Sequence, residues 1–443
     1  MLVLIVGYGK SGKSAEKVLK ELGYETTIIE DDRLIDETKI DKLLCGLSFI
    51  VVSPGVSCDS KIIKCAKNMN IKVIGELELG YQLLHGKVIA ITGTNGKTTT
   101  TMLTAKLLEE KNVFVGGNIG TPVSSFATKT KENSVSVLEV SSFQLDSIEN
   151  FRPNIAAILN ITPDHLNYHK TMQNYLNAKL NIFKNQVQSD FAVLNYDDAI
   201  LKDLKLTKSK TYFFSTKKEV NGCFIKNGCI YFKDTTKIIP GYYRAKKIAK
   251  ISGIKLLGEH NLSNCLCAIT CAIISGESAQ IIEQKLYEFE GSTNRLEFVT
   301  DIGGVSFYND SKATNPSSTI CAIQSMKSPT IIILGGSDKG LIFDEIFKMN
   351  SPLIKNYVFV GQTKNILQKT AEKYNIKNYY IAESFYQSVH LAYALSNKNE
   401  CVLLSPACAS FDMFSGYEER GKCFCGIVRE IKKNENAKHT SKT

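Results

Sequence analysis

Several signals are missing from this chain of 443 residues. No apolar run approaches the roughly 20 residues needed to cross a bilayer. A signal peptide is missing too, because Met1-Leu2-Val3-Leu4-Ile5-Val6 runs straight into a glycine turn at Gly7. The expectation is therefore a soluble, cytoplasmic protein. The 13 cysteines form an odd set without a regular framework. Cys265, Cys267 and Cys271 lie in an apolar helical pattern, and Cys423 and Cys425 have no paired CxxC elsewhere, so reduced, mostly buried thiols are expected rather than zinc or disulfides. There is also no long Lys/Arg block with interleaved aromatics, which argues against nucleic acid. A formal charge of +10, partly supplied by the tail Arg429–Thr443, leaves a phosphate-bearing small molecule as the better partner. The length fits about three domains of ordinary size.

The most informative stretch is Ala90–Thr101, AITGTNGKTTTT. The apolar run Val88-Ile89-Ala90-Ile91 stops at Gly93-Thr94-Asn95-Gly96-Lys97-Thr98-Thr99, and a helical pattern follows. A strand, a glycine turn and a helix start form a phosphate cradle: backbone N–H groups and the helix N-terminus face the anion, Lys97 adds a point charge, and Thr98 offers a hydroxyl to Mg²⁺. The strict P-loop pattern needs a glycine where Ile91 stands, so this is a shorter turn with the same Lys-Thr chemistry.

Before it, Leu2–Val6 reads as a buried parallel strand leading into Gly7-Tyr8-Gly9-Lys10-Ser11-Gly12, a GxGxxG turn. A second strand, Thr27–Ile29, ends at Glu30-Asp31, about 20 residues beyond the glycines, as in a dinucleotide fingerprint. The strand Phe49–Val52 ends in Ser53-Pro54-Gly55. The unit is short for a full dinucleotide domain with two mononucleotide halves, so a small Rossmann-like domain gripping a nucleotide-like group is expected; an NAD(P)-dependent oxidoreductase is the alternative.

After the phosphate loop, Gly116-Gly117-Asn118-Ile119-Gly120 suits a loop near a ligand, with Asn118 as its polar contact. The strand Val135–Val140 carries Glu139 near its end, well placed for Mg²⁺. The strand Ile155–Ile161 leads into Thr162-Pro163-Asp164-His165, which gives His165 a metal or phosphate role, while His169 is expected at the surface. Tyr175–Phe183 reads as an amphipathic helix on which Lys179 is, by pattern alone, an ordinary solvated lysine. Tyr212–Phe214, Cys223–Ile225 and Ile230–Phe232 suggest a meander around Asn227-Gly228. Gly258–Asn264 is expected to cap a helix Cys265–Ile274 and to meet a nucleotide. The most linker-like place of the second half is Glu290–Asn294. A β pattern Leu296–Tyr308 turns at Gly303-Gly304, and strands Ile331–Leu334, Tyr357–Val360, Tyr379–Ile381 and Val402–Leu404 deliver polar loops at their ends. The last helix, from about Gly421, is expected to fray into a disordered tail, Lys432–Thr443.

The fold class is thus α/β in three domains: a Rossmann-like N-terminal domain (1–87), a central P-loop-type ATPase domain (88–292) and a C-terminal Rossmann-like domain (293–443). A site assembled between such units, with closure excluding water, is expected to bind an anionic nucleotide-like group, ATP–Mg²⁺ and a third reactant.

Together, GTNGKTTT (93–100), GGNIG (116–120), LEVSSFQL (138–145), NDSKATNP (309–316), LGGSDKG (334–340) and LLSPACASFDMFSGYEERG (403–421) resemble the Mur ligase family over essentially the whole chain. The folate ligases share only part of this set. The resemblance implies that ATP phosphorylates the carboxylate of UDP-N-acetylmuramoyl-L-alanine and that the amine of D-glutamate attacks the acyl phosphate, in peptidoglycan precursor synthesis by a monomer. It implies that Gly93, Thr94, Asn95, Gly96, Lys97, Thr98 and Thr99 hold ATP with Asn261, Arg295 and Asp310. Thr98 and Glu139 would bind one Mg²⁺ and His165 a second, helped by Lys179 as a carbamate. Lys10, Ser11, Glu30, Asp31, Ser53, Pro54 and Gly55 would hold the uridine diphosphate, with Asn118, Ser141 and Gln144 near the muramoyl part. Lys312, Thr314, Lys339, Ser410 and Tyr417 would receive D-glutamate. Tyr417 stands where phenylalanine is common, and Lys10 adds charge to a usually less charged turn.

Overall fold

The computed structural model describes residues 1–31, 39–57, 60–206, 208–256, 258–291 and 293–440. The expected boundary residue Ser292 lies outside them. The chain divides into two compact units, 1–254 with 263–289, and 255–262 with 290–443.

The first unit holds two sheets. In the smaller, β1 (Leu2–Val6), β2 (Glu25–Ile29), β3 (Leu47–Val52) and β4 (Val73–Gly75) lie parallel in the order β2-β1-β3-β4. Alternate residues of β1 enter separate cores. Val3 and Ile5 pack with Ala15, Val18 and Leu19 of the helix Lys10–Glu21, whereas Leu4 and Val6 pack with Ile62, Ile63 and Ala66 of the helix Lys61–Asn68. A four-stranded sheet covered on both faces gives one mononucleotide-type half, as the short length of this segment suggested.

The larger sheet contains β5 (Lys87–Thr92), β6 (Asn112–Gly117), β7 (Ser134–Glu139), β8 (Ile155–Ile158), β9 (Phe191–Asn195), β10 (Lys210–Ser215), β11 (Gly222–Lys226), β12 (Cys229–Lys233) and β13 (Lys246–Lys250). Its order is β13-β12-β11-β10-β9-β8-β5-β7-β6, with β5 between β7 and β8. The polar loops that follow those three strands therefore emerge side by side. The expected meander is corrected: β10 and β11 pair in parallel, and only β11-β12-β13 run antiparallel.

The two sheets of this unit are tied by buried carboxylates. Glu76 Oε1 accepts from the backbone N–H and the hydroxyl of Ser124, at 2.7 and 2.6 Å. Glu78 accepts the N–H groups of Glu149, Asn150 and Phe151 at 2.9–3.0 Å. Such multiply bonded buried acceptors fix one element on another, because breaking them strands polar groups away from water.

The second unit holds β14 (Glu297–Ile302), β15 (Val305–Asn309), β16 (Thr330–Leu334), β17 (Ile354–Phe359), β18 (Tyr379–Ile381) and β19 (Cys401–Leu404), in the order β14-β15-β19-β16-β17-β18. Only the β14–β15 hairpin is antiparallel. Ile332, Leu334 and Leu403 enter one core, and Ile331, Ile333, Val402 and Leu404 the other.

The last helix begins at Tyr417 and continues to Thr440, so the expected fraying from Lys432 is corrected. Phe424, Ile427, Val428 and Ile431, at helical spacing, pack into a core, and Lys432 Nζ donates to Thr300 Oγ1 at 2.6 Å. Residues 441–443 lie outside the description. The helix expected at Cys265 starts at Glu259, so its polar residues form the first turns instead of standing before them as a cap.

Candidate active site

The turn after β5 needs its glycines. Gly96 has φ +86° and a Cβ there would stand 2.3 Å from Asn264 Oδ1; Gly93 has φ +153°, with Leu159 Cβ 2.9 Å away. Gly96 is the left-handed residue from which the helix Lys97–Leu107 departs. Asn160 fixes the turn from β8's end: its Oδ1 accepts from Asn95 N at 2.9 Å, and its Nδ2 donates to Asn95 O at 3.0 Å. Thr94 Oγ1 donates to Thr162 O at 3.1 Å and lies 3.1 Å from Tyr175 Oη. Lys97 Nζ donates to the carbonyls of Gly93 and Thr94, both at 2.9 Å, so the cation stays folded over the loop. Thr99 is buried and its hydroxyl has no hydrogen-bond partner among the described residues.

Glu139 ends β7 beside this turn. Its Oε2 accepts from Thr98 Oγ1 and its Oε1 from Asn118 Nδ2, each at 2.8 Å. Asn118, expected near a substrate, therefore holds this carboxylate. Ser141 and Gln144 are tied to each other in a capping box at the start of the helix Ser142–Leu145.

Lys179 corrects the solvated-lysine reading. It is 1% exposed, donates to Gly93 O at 2.9 Å and to Thr92 Oγ1 at 3.4 Å, and lies 4.7 Å from the Tyr175 ring centroid. Burial, reinforced by the charge of Lys97, holds its pKa well below the usual lysine value against the opposing pull of Asp164 and Glu139. Three of the expected residues, Lys97, Glu139 and Lys179, thus meet around one turn. His165 sits on the neighbouring loop with φ +53° and a half-exposed side chain, 3.7 Å from Asp164 Oδ2. Burial, then Lys97 and Lys179, lower its pKa, so the neutral imidazole is favoured against the pull of Asp164.

The donors suit a hard cation. Thr98 and Glu139 offer oxygen atoms, and Mg²⁺ takes one or two carboxylates plus phosphate and water. Among the described residues no group of three or more His, Cys, Asp or Glu gathers for a metal. Lys179 as an ammonium cannot be a ligand; its lowered pKa makes the neutral amine, which can take up CO₂, accessible.

At the edge of the smaller sheet, Gly7, with φ +86°, follows β1, and a Cβ on Gly12 would stand 2.1 Å from Gly7 O. Ser53 Oγ donates to that same carbonyl at 2.7 Å, so Ser53 locks the glycine turn. Lys10 opens a helix and is exposed, Glu30 is exposed, and Ser11, Asp31 and Pro54 are half-buried around them, with Gly55 exposed.

In the second unit, Asn261 and Arg295 line one cavity of about 510 Å³ with Leu256, Phe298 and Tyr308. Arg295 Nε is buried and has no hydrogen-bond partner among the described residues. Asp310 is buried behind them, accepting from Leu296 N at 3.2 Å and Ser405 Oγ at 2.8 Å. Burial pushes its pKa up to about 6, opposed by Arg295 and Ser405. Lys312 Nζ lies 5.5 Å from the centroid of the Tyr417 ring and Lys339 Nζ 5.0 Å from that of Phe411. Ser410 is buried and Thr314 half-buried.

Sequence reasoning passed over Tyr175, His169 and Arg420. Tyr175 stands one helical turn before Lys179, a spacing that could have flagged it. His169, expected at the surface, is 6% exposed, with Nε2 2.9 Å from Ser142 Oγ. Arg420 is fully buried: its guanidinium donates to Ser311 Oγ and O, Cys408 O and Ala409 O at 2.8–3.3 Å. It thereby ties the loop after β15, which carries Lys312, to the loop after β19, which carries Ser410.

Residues 91–272 match the Mur ligase middle domain, and residues 294–408 match the Mur ligase, glutamate ligase domain. Over 97% of its length the chain is 41% identical to a UDP-N-acetylmuramoylalanine--D-glutamate ligase of Caldanaerobacter subterraneus, covering 98% of that protein. A protein of the same name from Clostridioides difficile is also 41% identical, with the same coverage. Among solved structures, the UDP-N-acetylmuramate-alanine ligase MurC of Thermotoga maritima is 19% identical, with a TM-score of 0.63 over 98% of this chain and 100% of that one. The MurF ligase of Thermotoga maritima in complex with ADP is 16% identical, with a TM-score of 0.61 over 97% of this chain and 95% of that one. These two share the fold.

Proposed function

The chain belongs to the Mur ligase family, and we propose that it joins D-glutamate to UDP-N-acetylmuramoyl-L-alanine as ATP is split to ADP and phosphate. It takes its place among the enzymes of peptidoglycan precursor synthesis. The observation that carries this reading is the Glu139 carboxylate held beside the phosphate loop by Thr98 and Asn118. That is equipment for a nucleoside triphosphate and its cation. The choice of D-glutamate rests on the relatives' name.

The chemistry asks for positioning and charge neutralisation, with no protein nucleophile. The N–H groups of Gly93–Thr99 and the ammonium of Lys97 hold the β- and γ-phosphates. A carboxylate oxygen of the substrate attacks the γ-phosphorus, an O–P bond forms, the bond to the β-phosphate oxygen breaks, and ADP leaves. The amine of D-glutamate then attacks the acyl carbon, loses a proton, and phosphate departs from the tetrahedral intermediate. Mg²⁺, held by Thr98 and Glu139 and in a second position by His165, would supply charge neutralisation on the phosphates. Lys179 carries a carbamate: its neutral amine adds to the carbon of CO₂ with loss of one proton, which turns a buried cation into an anion. Its contacts with Gly93 and Thr92 are then replaced by those of a carboxylate-like group.

Asn261, Arg295 and Asp310 contact the rest of ATP. Lys312, Thr314, Lys339, Ser410 and Tyr417 receive the two carboxylates of D-glutamate. Lys10, Ser11, Glu30, Asp31, Ser53, Pro54 and Gly55 hold the uridine diphosphate. The work is divided among three functional domains, 1–87, 88–292 and 293–443. The enzyme works as a monomer in the cytoplasm; among the described residues no helix is long and apolar enough to cross a membrane.

Phosphate release with UDP-N-acetylmuramoyl-L-alanine, ATP, Mg²⁺ and a panel of amino acids tests the assignment. D-glutamate alone should support turnover. Release with L-lysine or diaminopimelate instead, or with none of the panel, would overturn it.

A further inference from the structure

His165 is held by Asp164, whose Oδ1 accepts from its backbone N–H at 2.9 Å and whose Oδ2 lies 3.7 Å from its Nε2. Its backbone has φ +53°, its side chain is half exposed, and its ring packs edge-on against Phe143 at 4.9 Å. A non-glycine residue in that left-handed conformation persists only where its surroundings impose it. His169, one helical turn further on, lies in a different environment. Its ring stacks on Phe143 at 5.6 Å, meets Tyr168 at 4.8 Å and Tyr175 at 5.3 Å, and its Nε2 lies 2.9 Å from Ser142 Oγ. Asn174 Nδ2 donates to its carbonyl at 2.9 Å, and its own N–H donates to His165 O at 3.0 Å.

Ser142 and Phe143 begin the helix that directly follows the Glu139 strand. The Ser142–His169 bond and the shared Phe143 ring therefore join two segments: the one that follows Glu139 and the one that carries His165. We propose that His169 is a positioning residue that sets the His165 imidazole relative to Glu139 through Ser142 and Phe143. This rests on the reading of His165 as a residue at the reacting phosphates. A buried histidine serving stability alone would lower the melting temperature when replaced and leave the His165 ring where it is.

The test combines kinetics with a direct view of the ring. His165→Ala, His169→Ala, His169→Gln, Ser142→Ala and the double variant His165→Ala/His169→Ala are compared by turnover and by melting temperature. The imidazole Cε1–Hε1 resonances, one per histidine, are followed by NMR, with the His165 signal assigned by its loss in His165→Ala. His169→Ala should lower kcat roughly tenfold, the scale of lost outer-shell support, with the KM for ATP changed by less than about twofold. The His165 resonance should shift or broaden, His169→Gln should restore most of the loss, and the double variant should be no worse than His165→Ala alone. An unmoved His165 resonance with losses that multiply in the double variant would overturn the inference while leaving the role of His165 intact. Full turnover in His165→Ala would instead remove the role of His165, and this inference with it. Where His169→Ala fails to fold, Ser142→Ala and His169→Gln carry the same comparison, with a shifted His165 resonance in Ser142→Ala as the supporting result and an unshifted one as the contrary.

Discussion

The phosphate turn and the lysine-bearing loops of the C-terminal unit are built on different plans. At the phosphate turn the charged groups are held by neighbours on adjoining strand ends: Lys97 by loop carbonyls, Glu139 by Thr98 and Asn118, Lys179 by Gly93 and Thr92. In the C-terminal unit, Lys312 and Lys339 rest over aromatic rings, and the guanidinium of Arg420 is buried among loop carbonyls. The first plan holds each charged group of one cluster around a glycine turn. The second fixes the loop carrying Lys312 and the loop carrying Ser410 through one buried cation.

This contrast can be broken most strongly at the first site. Lys97→Ala or Glu139→Ala should lower kcat by about 10²–10³, as for the loss of a pre-organised electrostatic group, with the KM for D-glutamate little changed. Steady-state kinetics at saturating ATP check this; equal damage to both parameters would mean the regions are not separate in function. Arg420→Ala should act on the second plan alone. It strands acceptors on Ser311, Cys408 and Ala409, so roughly 3 kcal/mol of stability in the C-terminal unit should be lost. Arg420→Lys should recover only part, since an ammonium lacks the planar fork. Urea unfolding, read with the KM for D-glutamate, measures both. Gly96→Ala should cost about 1–3 kcal/mol for the left-handed backbone and the clash with Asn264, and weaken ATP without moving D-glutamate.

The smallest effect is a pair of opposing pH slopes within the C-terminal unit. Asp310, with a pKa raised to about 6 by burial, stabilises the fold when protonated. That stability is complete below the unfolded value and is lost as pH rises through about 6. His260, lowered to about 4 by burial and by Arg295, works the other way: its contribution is present above the unfolded value and lost as pH falls through about 4. Between pH ~4 and ~6 the two nearly cancel, leaving a net change of about 1 kcal/mol or less. Asp310→Asn should unmask stability rising with pH, and His260→Asn stability falling with pH. Chemical denaturation at several pH values checks the signs, and the same slope in both variants would refute the assignment.

The same contrast explains what could be read from the sequence. The phosphate turn, Glu139 and His165 sit at the ends of apolar runs, where a parallel sheet delivers its loops, so their neighbourhood follows from strand order. The alternation of strands and helices likewise marked every sheet in outline. Lys179 was unreadable by pattern because its helix carries polar residues on several faces, and its burial depends on the Gly93 turn far away in sequence. Arg420 sits in Tyr417-Glu418-Glu419-Arg420, which reads as a solvated charged run. Only the carbonyls of loops about 10 and 110 residues away make it a buried hub. The meander failed because the parallel pairing of β10 with β11 leaves no local mark, and the tail failed because its helix is anchored from one side by Phe424, Ile427, Val428 and Ile431.

A phosphate turn that passes a phosphoryl group to a carboxylate leaves an isotopic trace. UDP-N-acetylmuramoyl-L-alanine labelled with ¹⁸O in its free carboxylate tests it, through mass analysis of the phosphate released during turnover with D-glutamate. An acyl-phosphate route places one labelled oxygen in inorganic phosphate for each amide formed. Unlabelled phosphate beside a fully formed amide, or label in AMP, would contradict the account.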